Sequence, residues 1–127
     1  MSTRAVVDSF WAAMKANDWE GAAEHLSKNC VVDWPCSGER IRREHFAEIQ
    51  ARYPAAGEWR WELHRLIVEG DVAVTELSVT DGEQAARAIV FSEVVCDRIA
   101  RQVEYWPEAY EPAAWRADLV ERIERVP

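Results

Sequence analysis

The amino-acid sequence predicts an α+β fold in which helices lie on one face of a curved sheet. Apolar residues recur with helical spacing through most of the chain up to Tyr53, whereas beyond Gly57 they recur with a period of two. Short runs of turn residues divide this second part into segments of strand length. Helices followed by strands, without a linker or a repeat, are typical of a single α+β domain, here residues 1–127.

Three helices and one strand are predicted in the N-terminal part of the chain. Ser2 or Thr3 can cap the first helix, Asp18 is placed to cap the second, and Pro54 ends the third. Between the second and third helices, a β-branched segment that turn residues close predicts a strand. The predicted helices span residues 4–14, 19–26 and 42–53, and the strand spans residues 30–34.

Four strands and a final helix are predicted in the C-terminal part. The strands span residues 59–69, 72–80, 85–95 and 98–106, and the turns between them are Gly70-Asp71, Asp81-Gly82 and Cys96-Asp97. Turns this short join antiparallel neighbours, so the strands form a meander. Residues 112–125 begin with Pro112 and carry Trp115 on an apolar side, which predicts an amphipathic helix packed on the sheet.

The charge of the chain excludes several classes of function. Fifteen Lys and Arg residues stand against 23 Asp and Glu residues, so the formal net charge is −8. An acidic chain repels phosphate backbones and anionic membrane surfaces, and no apolar run reaches the length of a membrane span. We therefore expect no nucleic-acid partner and no membrane partner. The N-terminal sequence lacks a signal-peptide pattern, which predicts a cytoplasmic protein.

The tryptophan and cysteine contents indicate which kinds of binding or catalytic site the chain can form. Seven Trp residues stand beside three Phe and three Tyr, and such rings either fill a core or line a surface that meets an apolar ligand. Cys30, Cys36 and Cys96 have neither metal-ligand nor disulfide spacing, so no metal site is expected. They are interpreted as small buried or half-buried thiols, with a nucleophilic Cys36 as the alternative.

The last predicted hairpin sets a register, because a two-residue turn at Cys96-Asp97 pairs Val95 with Arg98. Glu104 would then lie opposite Ile89, among apolar neighbours. Desolvation raises the pKa of a carboxyl, which suits a general acid or base near neutral pH. The alternative is that Glu104 lies on a solvated face and that the other face forms the core. The predicted functional face carries Arg87, Ile89, Phe91 and Glu93 beside Trp106, Glu104, Gln102 and Ala100.

Several segments of the chain together resemble a known family. They are Phe10-Trp11-Ala12-Ala13-Met14 before Asn17-Asp18-Trp19, the run WPCSGERIR from Trp34, Tyr53-Pro54, Val68-Glu69-Gly70-Asp71 and the run EYWPEAYEP from Glu104. Their order and spacing resemble the SnoaL-like branch of the nuclear transport factor 2-like superfamily, over nearly the whole chain. The resemblance implies a cone-shaped α+β barrel, mainly antiparallel, with three N-terminal helices and a C-terminal helix around a deep pocket. It also implies a homodimer through the outer face of the sheet.

The resemblance also implies a type of chemistry. Ketosteroid isomerase, limonene epoxide hydrolase, scytalone dehydratase and the SnoaL aldol cyclases move protons on small apolar substrates without a cofactor, so no cofactor is expected. By position, Glu104 resembles the acidic residue in the last strand of the epoxide hydrolase and of SnoaL, which implies a catalytic carboxyl. His64 matches a pocket-lining position of ketosteroid isomerase and is the second catalytic candidate. The alternative is a hydrogen-bonded histidine at the edge of the sheet.

The sequence departs from these enzymes at their catalytic positions. Trp11, Trp34 and Phe91 stand in place of the polar residues of ketosteroid isomerase, which disfavours steroid isomerisation. Leu77 and Val79 stand in place of an Arg and an Asp of limonene epoxide hydrolase, which disfavours epoxide hydrolysis. The predicted substrate-binding residues are Trp11, Trp34, Leu77, Val79, Arg87, Ile89, Phe91, Gln102 and Trp106.

The sequence thus predicts a cofactor-independent enzyme that uses Glu104 for acid/base chemistry on a small apolar or aromatic metabolite. The reaction would be of the isomerase, cyclase, dehydratase or hydrolase type. Two alternatives stay open: a non-catalytic ligand-binding protein with the same pocket, and a protein-interaction domain that uses Trp59, Trp61 and Tyr105 on the outer sheet. The side chains of Arg40, Arg42 and Arg43 either clamp an anionic group at the pocket rim or form surface ion pairs.

Overall fold

The computed structural model describes residues 1–127, and its N-terminal part contains three helices and two strands. As predicted, the Ser2 hydroxyl caps the first helix by accepting the N–H of Ala5, and the Asp18 carboxylate caps the second by accepting the N–H of Gly21. None of the helices has the length and apolar character needed to cross a membrane. In chain order, the elements are α1 (Thr3–Lys15), α2 (Trp19–Glu24), β1 (Leu26–Trp34), β2 (Glu39–Arg42) and α3 (Arg43–Arg52).

The segment between α2 and α3 differs from the prediction. β1 begins at Leu26 instead of Cys30, and the strand β2, which the sequence did not reveal, pairs with β1 in antiparallel fashion. Gly38 adopts a φ of +78° in the turn between the two strands, a conformation that glycine adopts without a steric penalty. β2 has four residues of which one is buried, so it is too short to show a period of two in the sequence.

Four further strands complete a six-stranded curved sheet. They are β3 (Arg60–Glu69), β4 (Val72–Thr80), β5 (Ala85–Val95) and β6 (Arg98–Tyr105). The strand order is β2-β1-β6-β5-β4-β3, and every neighbouring pair is antiparallel except β1 and β6, which are parallel. The predicted α+β fold with a mainly antiparallel sheet is confirmed, although the sheet stays open and does not close into a barrel.

The helices cover one face of this sheet, which we call the inner face. The Trp11 side chain of α1 donates from Nε1 to Oγ1 of Thr75 in β4, at 3.2 Å. Phe46 of α3 packs on Phe10 of α1, with 5.9 Å between the ring centroids. Each buried side chain of this size contributes about 1.5–3 kcal/mol to the free energy of unfolding. The buried stripe of α1 consists of Val6, Val7, Phe10, Trp11 and Met14.

β6 contains one more residue than the part of β5 it pairs with. Val94 pairs with Ile99, as the two-residue turn predicts, but the next pair joins Glu93 to Arg101, so Ala100 is the extra residue of a β-bulge. The predicted register is wrong beyond this point, because the bulge moves each later residue of β6 by one position relative to β5. A different set of β5 side chains therefore shares a face with the end of β6.

β3 contains a second bulge. Leu63 and Arg65 pair with consecutive residues of β4, so His64 is the extra residue. As a result, Trp61 and Leu66 both pack against the core, although they are five residues apart and strict alternation would place them on opposite faces. The two bulges together decide which side chains of β3, β5 and β6 reach the inner face.

The C-terminal segment does not form the predicted helix on the sheet. Only Ala114–Leu119 is helical, as a single 3₁₀ stretch, and the side chain of Trp115 is 75% exposed. The Trp115 ring lies beside the guanidinium of the adjacent Arg116, 5.6 Å from the ring centroid. A short helix without a packed face has little stability of its own, which explains why the apolar spacing of this segment was misleading.

Asp81 joins two loops at the edge of the sheet. Its carboxylate accepts hydrogen bonds from the backbone N–H groups of Ala56, Glu83 and Gln84 and from the side chain of Gln84. These donors favour the charged form, so the pKa of Asp81 lies well below its usual range. The loop that follows α3 is thereby fixed to the turn between β4 and β5.

We expect Asp81→Asn to lower the melting temperature at neutral pH, because a neutral amide accepts the hydrogen bonds of the surrounding N–H groups more weakly than a charged carboxylate. Since the pKa of Asp81 is lower in the folded chain than in the unfolded chain, its stabilisation is present above the ordinary Asp pKa of about 4 and is lost as the pH falls below it. Calorimetry from about pH 7 to about pH 3 should show the wild-type and variant melting temperatures converging. Asp8→Asn, at an exposed position of α1, is the matched control. The same pH dependence in both variants would contradict the assignment.

Candidate functional site

A cavity of about 910 Å³ opens at one end of the inner face, between the sheet and the helices. Side chains of α1, α3 and all six strands line it, together with the loops that follow β1, α3, β4 and β6. Five of the seven tryptophans of the chain belong to its wall, so most of the unusual tryptophan content is concentrated at one site. They are Trp11, Trp34, Trp59, Trp61 and Trp106.

The carboxyl of Glu104 is buried in this wall and is 6% exposed. Its Oε1 accepts hydrogen bonds from Nε1 of Trp34 at 2.9 Å and from Nε1 of Trp106 at 3.1 Å. Its Oε2 accepts from Nε2 of Gln102 at 2.7 Å. A carboxylate offers about four acceptor positions, so after these three hydrogen bonds one position, on Oε2, has no donor in the chain.

Gln102 connects Glu104 to a second buried polar side chain. The amide oxygen of Gln102 accepts a hydrogen bond from Oγ of Ser92 at 2.8 Å, and both residues are fully buried. A hydroxyl can donate or accept, so the chain of hydrogen bonds also works in reverse. When Glu104 is protonated, the amide of Gln102 can flip, so that its oxygen accepts from the Glu104 hydroxyl and its NH₂ group donates to Oγ of Ser92. Both protonation states of Glu104 can therefore keep their hydrogen bonds.

Burial raises the pKa of Glu104, because the surrounding apolar groups disfavour its charged form. The hydrogen bonds from Gln102, Trp34 and Trp106 favour the charged form and oppose this effect without cancelling it. A carboxyl with a raised pKa holds its proton closer to neutral pH, so Glu104 is suited to act as a general acid or base.

The indole rings form a continuous wall that leads from Glu104 to α1. The centroids of Trp106 and Trp61 are 6.5 Å apart, and those of Trp61 and Trp11 are 5.9 Å apart. Nε1 of Trp61 is buried and has no hydrogen-bond partner in the chain. An unpaired buried donor costs about 1–3 kcal/mol, and an acceptor on a ligand that reached this atom would remove that cost.

Asn17 positions one side of the cavity mouth. This residue adopts a φ of +55° in the turn after α1. Its side-chain oxygen accepts the N–H of Trp59 at 3.0 Å, and its amide nitrogen donates to the carbonyl of Trp59 at 2.7 Å. The ring of Tyr53 meets the Trp59 ring edge to face, with 5.7 Å between centroids. The aromatic mouth is therefore held by backbone contacts and not only by packing.

The structure brings five of the sequence-predicted site residues together in the cavity wall: Trp11, Trp34, Val79, Glu104 and Trp106. Gln102 lies directly behind the carboxyl of Glu104 and contacts it without lining the cavity. The catalytic and substrate-binding roles of these residues stay predictions, because their positions alone do not test them.

Four other predicted substrate-binding residues lie outside the cavity. Leu77 is fully buried in the core. Three lie on the outer face of the sheet: Arg87, Ile89 and Phe91. The reason is the bulge at Ala100, because it pairs Glu104 with Val90 instead of Ile89 and so places the other side of β5 on the inner face. The predicted arrangement of Ile89 and Phe91 around Glu104 is therefore wrong.

His64 also lies on the outer face, away from Glu104. Its Nε2 is 2.7 Å from Oγ of Ser78, an outward-facing residue of β4. The predicted placement of His64 in the pocket is wrong, because the bulge in β3 turns its side chain outward. The observed contact fits the alternative interpretation, a hydrogen-bonded histidine in the sheet.

Trp59 and Trp61, which the sequence predicts on the outer surface of the sheet, both line the cavity. A signal for this was present in the sequence: apolar residues at 61 and 63 are followed by apolar residues at 66 and 68, and a step of three within a strand indicates a bulge. Several other wall residues that were missed lie in loops and in α3, where no period marks the inner side. They include Cys36, Gln50, Tyr53 and Gln84.

None of the three arginines considered for the cavity rim lines the cavity. Arg40 forms an ion pair with Asp33 at 2.7 Å, which fits the alternative of a surface ion pair. Arg43 donates to the backbone carbonyls of Ala23 and Leu26. These contacts connect structural elements and leave the cavity wall without an arginine.

The cysteines fit their predicted burial only in part. Cys30 is buried, and burial raises the pKa of its thiol to about 12. Cys36 and Cys96 are exposed, contrary to the prediction, because both lie in turns. Cys96 adopts a φ of +49° in the two-residue turn between β5 and β6. Cys36 lies at the cavity wall in the turn after β1.

Comparisons with known proteins agree on one family. The model of the SnoaL-like domain matches residues 7–102. A candidate ketosteroid isomerase from Kribbella flavida is 32% identical, with 96% of this chain and 90% of that chain covered and a TM-score of 0.86. An NTF-2 like protein of unknown function from Burkholderia xenovorans LB400 is 25% identical, with coverage of 96% and 95% and a TM-score of 0.75.

A more distant structure shares only the fold. It is an LEH-like epoxide hydrolase from M. tuberculosis, 20% identical, with 83% of this chain and 82% of that chain covered and a TM-score of 0.67. No curated protein matches the sequence. The likeness therefore establishes the family and the fold, and the reaction has to be argued from the site.

We expect Trp34→Phe to raise the pKa of Glu104 further, because phenylalanine keeps the aromatic wall but lacks the N–H that favours the carboxylate. A pH titration of the Glu104 carboxyl by ¹³C NMR measures this pKa. Trp59→Phe is the control, since no hydrogen bond joins Trp59 to Glu104. An unchanged pKa in Trp34→Phe would show that this hydrogen bond does not influence the carboxyl.

Proposed function

Because the chain belongs to the family of SnoaL-like domains, we propose that its cavity binds a small, largely apolar metabolite on which Glu104 performs acid/base chemistry. The reaction is of the isomerase, cyclase, dehydratase or hydrolase type and needs no cofactor. The observation that carries the proposal is a buried carboxyl with one free acceptor position in an aromatic cavity. The name of the 32% identical relative, a candidate ketosteroid isomerase, supports the same class, since an isomerase moves protons.

The hydrogen bonds of Glu104 suit a group that changes its protonation state. As a base, the ionised carboxyl takes a proton from the substrate at its free acceptor position. The new O–H group can then rotate about its C–O bond toward Gln102, which turns its amide to accept from it, while Ser92 accepts from Gln102 in turn. As an acid, Glu104 follows the same steps in reverse. The two indole N–H groups keep Oε1 in place in both states.

The aromatic wall contributes to this chemistry by excluding water. Indole rings on several sides of Glu104 keep its surroundings apolar, which maintains the raised pKa and restricts the orientation of a bound ring. Val79 and Met14 add aliphatic contacts to the wall. A substrate with an apolar body gains binding energy from these contacts, while the polar groups of the wall are few enough to fix its orientation.

A non-catalytic ligand-binding protein is the second candidate. Glu104 is the one buried ionisable side chain of the cavity wall, whereas Glu39 and Glu108 are exposed at its mouth. No second buried acid or base therefore lines the cavity. A binding protein needs no second acid or base. An enzyme with one such group must use the same group both to remove a proton and to return it.

We expect Glu104→Gln to lower kcat/KM by about 10²–10⁴-fold, because the amide neither takes nor gives the proton. The substrates to screen are small cyclic ketones, lactones, epoxides and aromatic polyketide fragments, first by thermal shift and then for turnover. If Glu104 acts as a base, kcat/KM rises with pH through its raised pKa, and if it acts as an acid, kcat/KM falls.

Glu93→Gln is the control for the loss of one negative charge, since Glu93 is exposed on the outer face. Unchanged turnover in Glu104→Gln would rule out the acid/base role. Ligands that stabilise the wild type but are never converted would favour the ligand-binding candidate.

The outer face of the sheet carries an exposed apolar row, which supports the proposal that the chain forms a homodimer. Ile67, Val74, Phe91 and Val103 form a row across β3, β4, β5 and β6, in which each residue pairs with the next. Phe91 is 40% exposed, and its ring meets that of the exposed Tyr105 edge to face. An exposed apolar patch of this kind marks a protein interface. Trp59 and Trp61 lie in the cavity, so the protein-interaction alternative loses two of its three aromatic residues.

We expect Phe91→Glu to shift the chain from dimer to monomer, because it places a charge in the centre of this apolar row. Sedimentation velocity should show the mass falling from twice 14.6 kDa to 14.6 kDa. Ala12→Glu, at an exposed position of α1, is the control and should leave the dimer intact. A wild-type chain that sediments as a monomer would contradict the dimer.

A further inference from the structure

The buried carboxyl of Glu104 has no cationic side chain as a partner. Its hydrogen bonds come from two indoles and one amide, all of which are neutral. Every ion pair of the chain involves other residues. Buried charges in proteins are normally paired, because removing a charge from water is unfavourable unless a counter-charge offsets it. The ionised form of Glu104 therefore lacks the counter-charge that its burial calls for.

The rest of the cavity wall supplies no positive charge either. The lining residues include no Lys, Arg or His, and the other carboxylates among them, Glu39 and Glu108, are negative. The chain as a whole has a formal charge of −8. The electrostatic potential inside the cavity thus favours a cationic ligand over a neutral one and disfavours an anion.

The wall beside Glu104 consists of the aromatic surface that best binds organic cations. Trp34 and Trp106 both contact the carboxyl through their N–H groups, and Trp61 continues the wall 6.5 Å from Trp106. The face of an indole attracts a cation more strongly than the face of any other aromatic side chain, and the attraction is larger where water is excluded. Several aromatic rings around one point form the kind of cage by which proteins recognise quaternary ammonium groups.

We propose that this cavity takes a small organic cation, an ammonium group on an apolar body, whose charge lies between Glu104 and the neighbouring indole rings. A protonated tertiary amine can also donate its N–H to the free acceptor position of Glu104. The inference rests on the same cavity and carboxyl as the proposed function and specifies its ligand class, but it does not require turnover.

Three probes of nearly the same shape separate charge from packing: phenyltrimethylammonium, the neutral tert-butylbenzene and the anionic benzenesulfonate. Quenching of tryptophan fluorescence and isothermal titration calorimetry measure their dissociation constants. We expect the cation to bind at least about tenfold more tightly than the neutral probe and the anion to bind weakest. Equal or tighter binding of tert-butylbenzene, or no binding of the cation, would overturn the inference.

Variants test whether Glu104 and the indoles cause this preference. In Glu104→Gln, the affinity for the cationic probe should fall to that for the neutral probe. Glu93→Gln, which loses the same charge on the outer face, should keep the preference for the cation. Trp61→Leu is a second variant, whose result does not depend on whether Glu104→Gln folds. It should weaken the binding of the cationic probe more than that of the neutral probe. A preference that survives both Glu104→Gln and Trp61→Leu would overturn the proposed site.

The outcome is separate from that of the proposed function. A cation preference that Glu104→Gln removes, in a protein that converts none of the screened substrates, would support the ligand class and count against acid/base catalysis. Turnover of a neutral substrate in a protein without a cation preference would support the acid/base role and overturn the ligand class.

Discussion

The cavity depends on the alternation of side chains along β6. The extra residue Ala100 shifts this alternation by one position. Ile99 and Glu104 are five residues apart, so strict alternation would put them on opposite faces. A regular β6 that buried Ile99 would also bury Arg101 and turn Glu104 outward. Burying the charge of Arg101 costs more than interrupting a ladder, and in the bulged strand Arg101 instead reaches Asp33 at the surface. The bulge thus places the carboxyl and the apolar anchor on the same side.

Once Glu104 faces inward, its neighbours determine its chemical character. The indoles of Trp34 and Trp106 and the amide of Gln102 satisfy it with neutral donors, which stabilise the carboxylate without neutralising its charge. Burial still raises its pKa, so the group is sensitive to any proton or positive charge that a ligand brings. The acid/base role and the preference for a cation are two consequences of this single arrangement, a buried charge without a charged partner.

The cavity stays open because its mouth is fixed by backbone contacts. Asn17 holds the backbone of Trp59 from the α1 side, and Asp81 holds the loop after α3 from the sheet side. Both residues use side-chain groups to satisfy backbone N–H or carbonyl groups that no regular element serves. The backbone of Trp59 and the loop after α3 are thereby held in place at the edge of the cavity.

The sequence by itself determined the local structure: the helices with caps at Ser2 and Asp18, the strands of period two, the turn at Cys96, and the grouping of Gln102 and Glu104 on one face of β6 with Trp106 directly after the strand. These features depend on residues close in the chain, where propensity and spacing act directly. Only the tertiary structure decided which side chains of β3 and β5 join them, which removed His64 and Phe91 from the cavity and brought in Trp61. The reason is that a bulge forms where packing against α1 and the exposure of charged residues outweigh a regular ladder, and that balance involves contacts between distant parts of the chain.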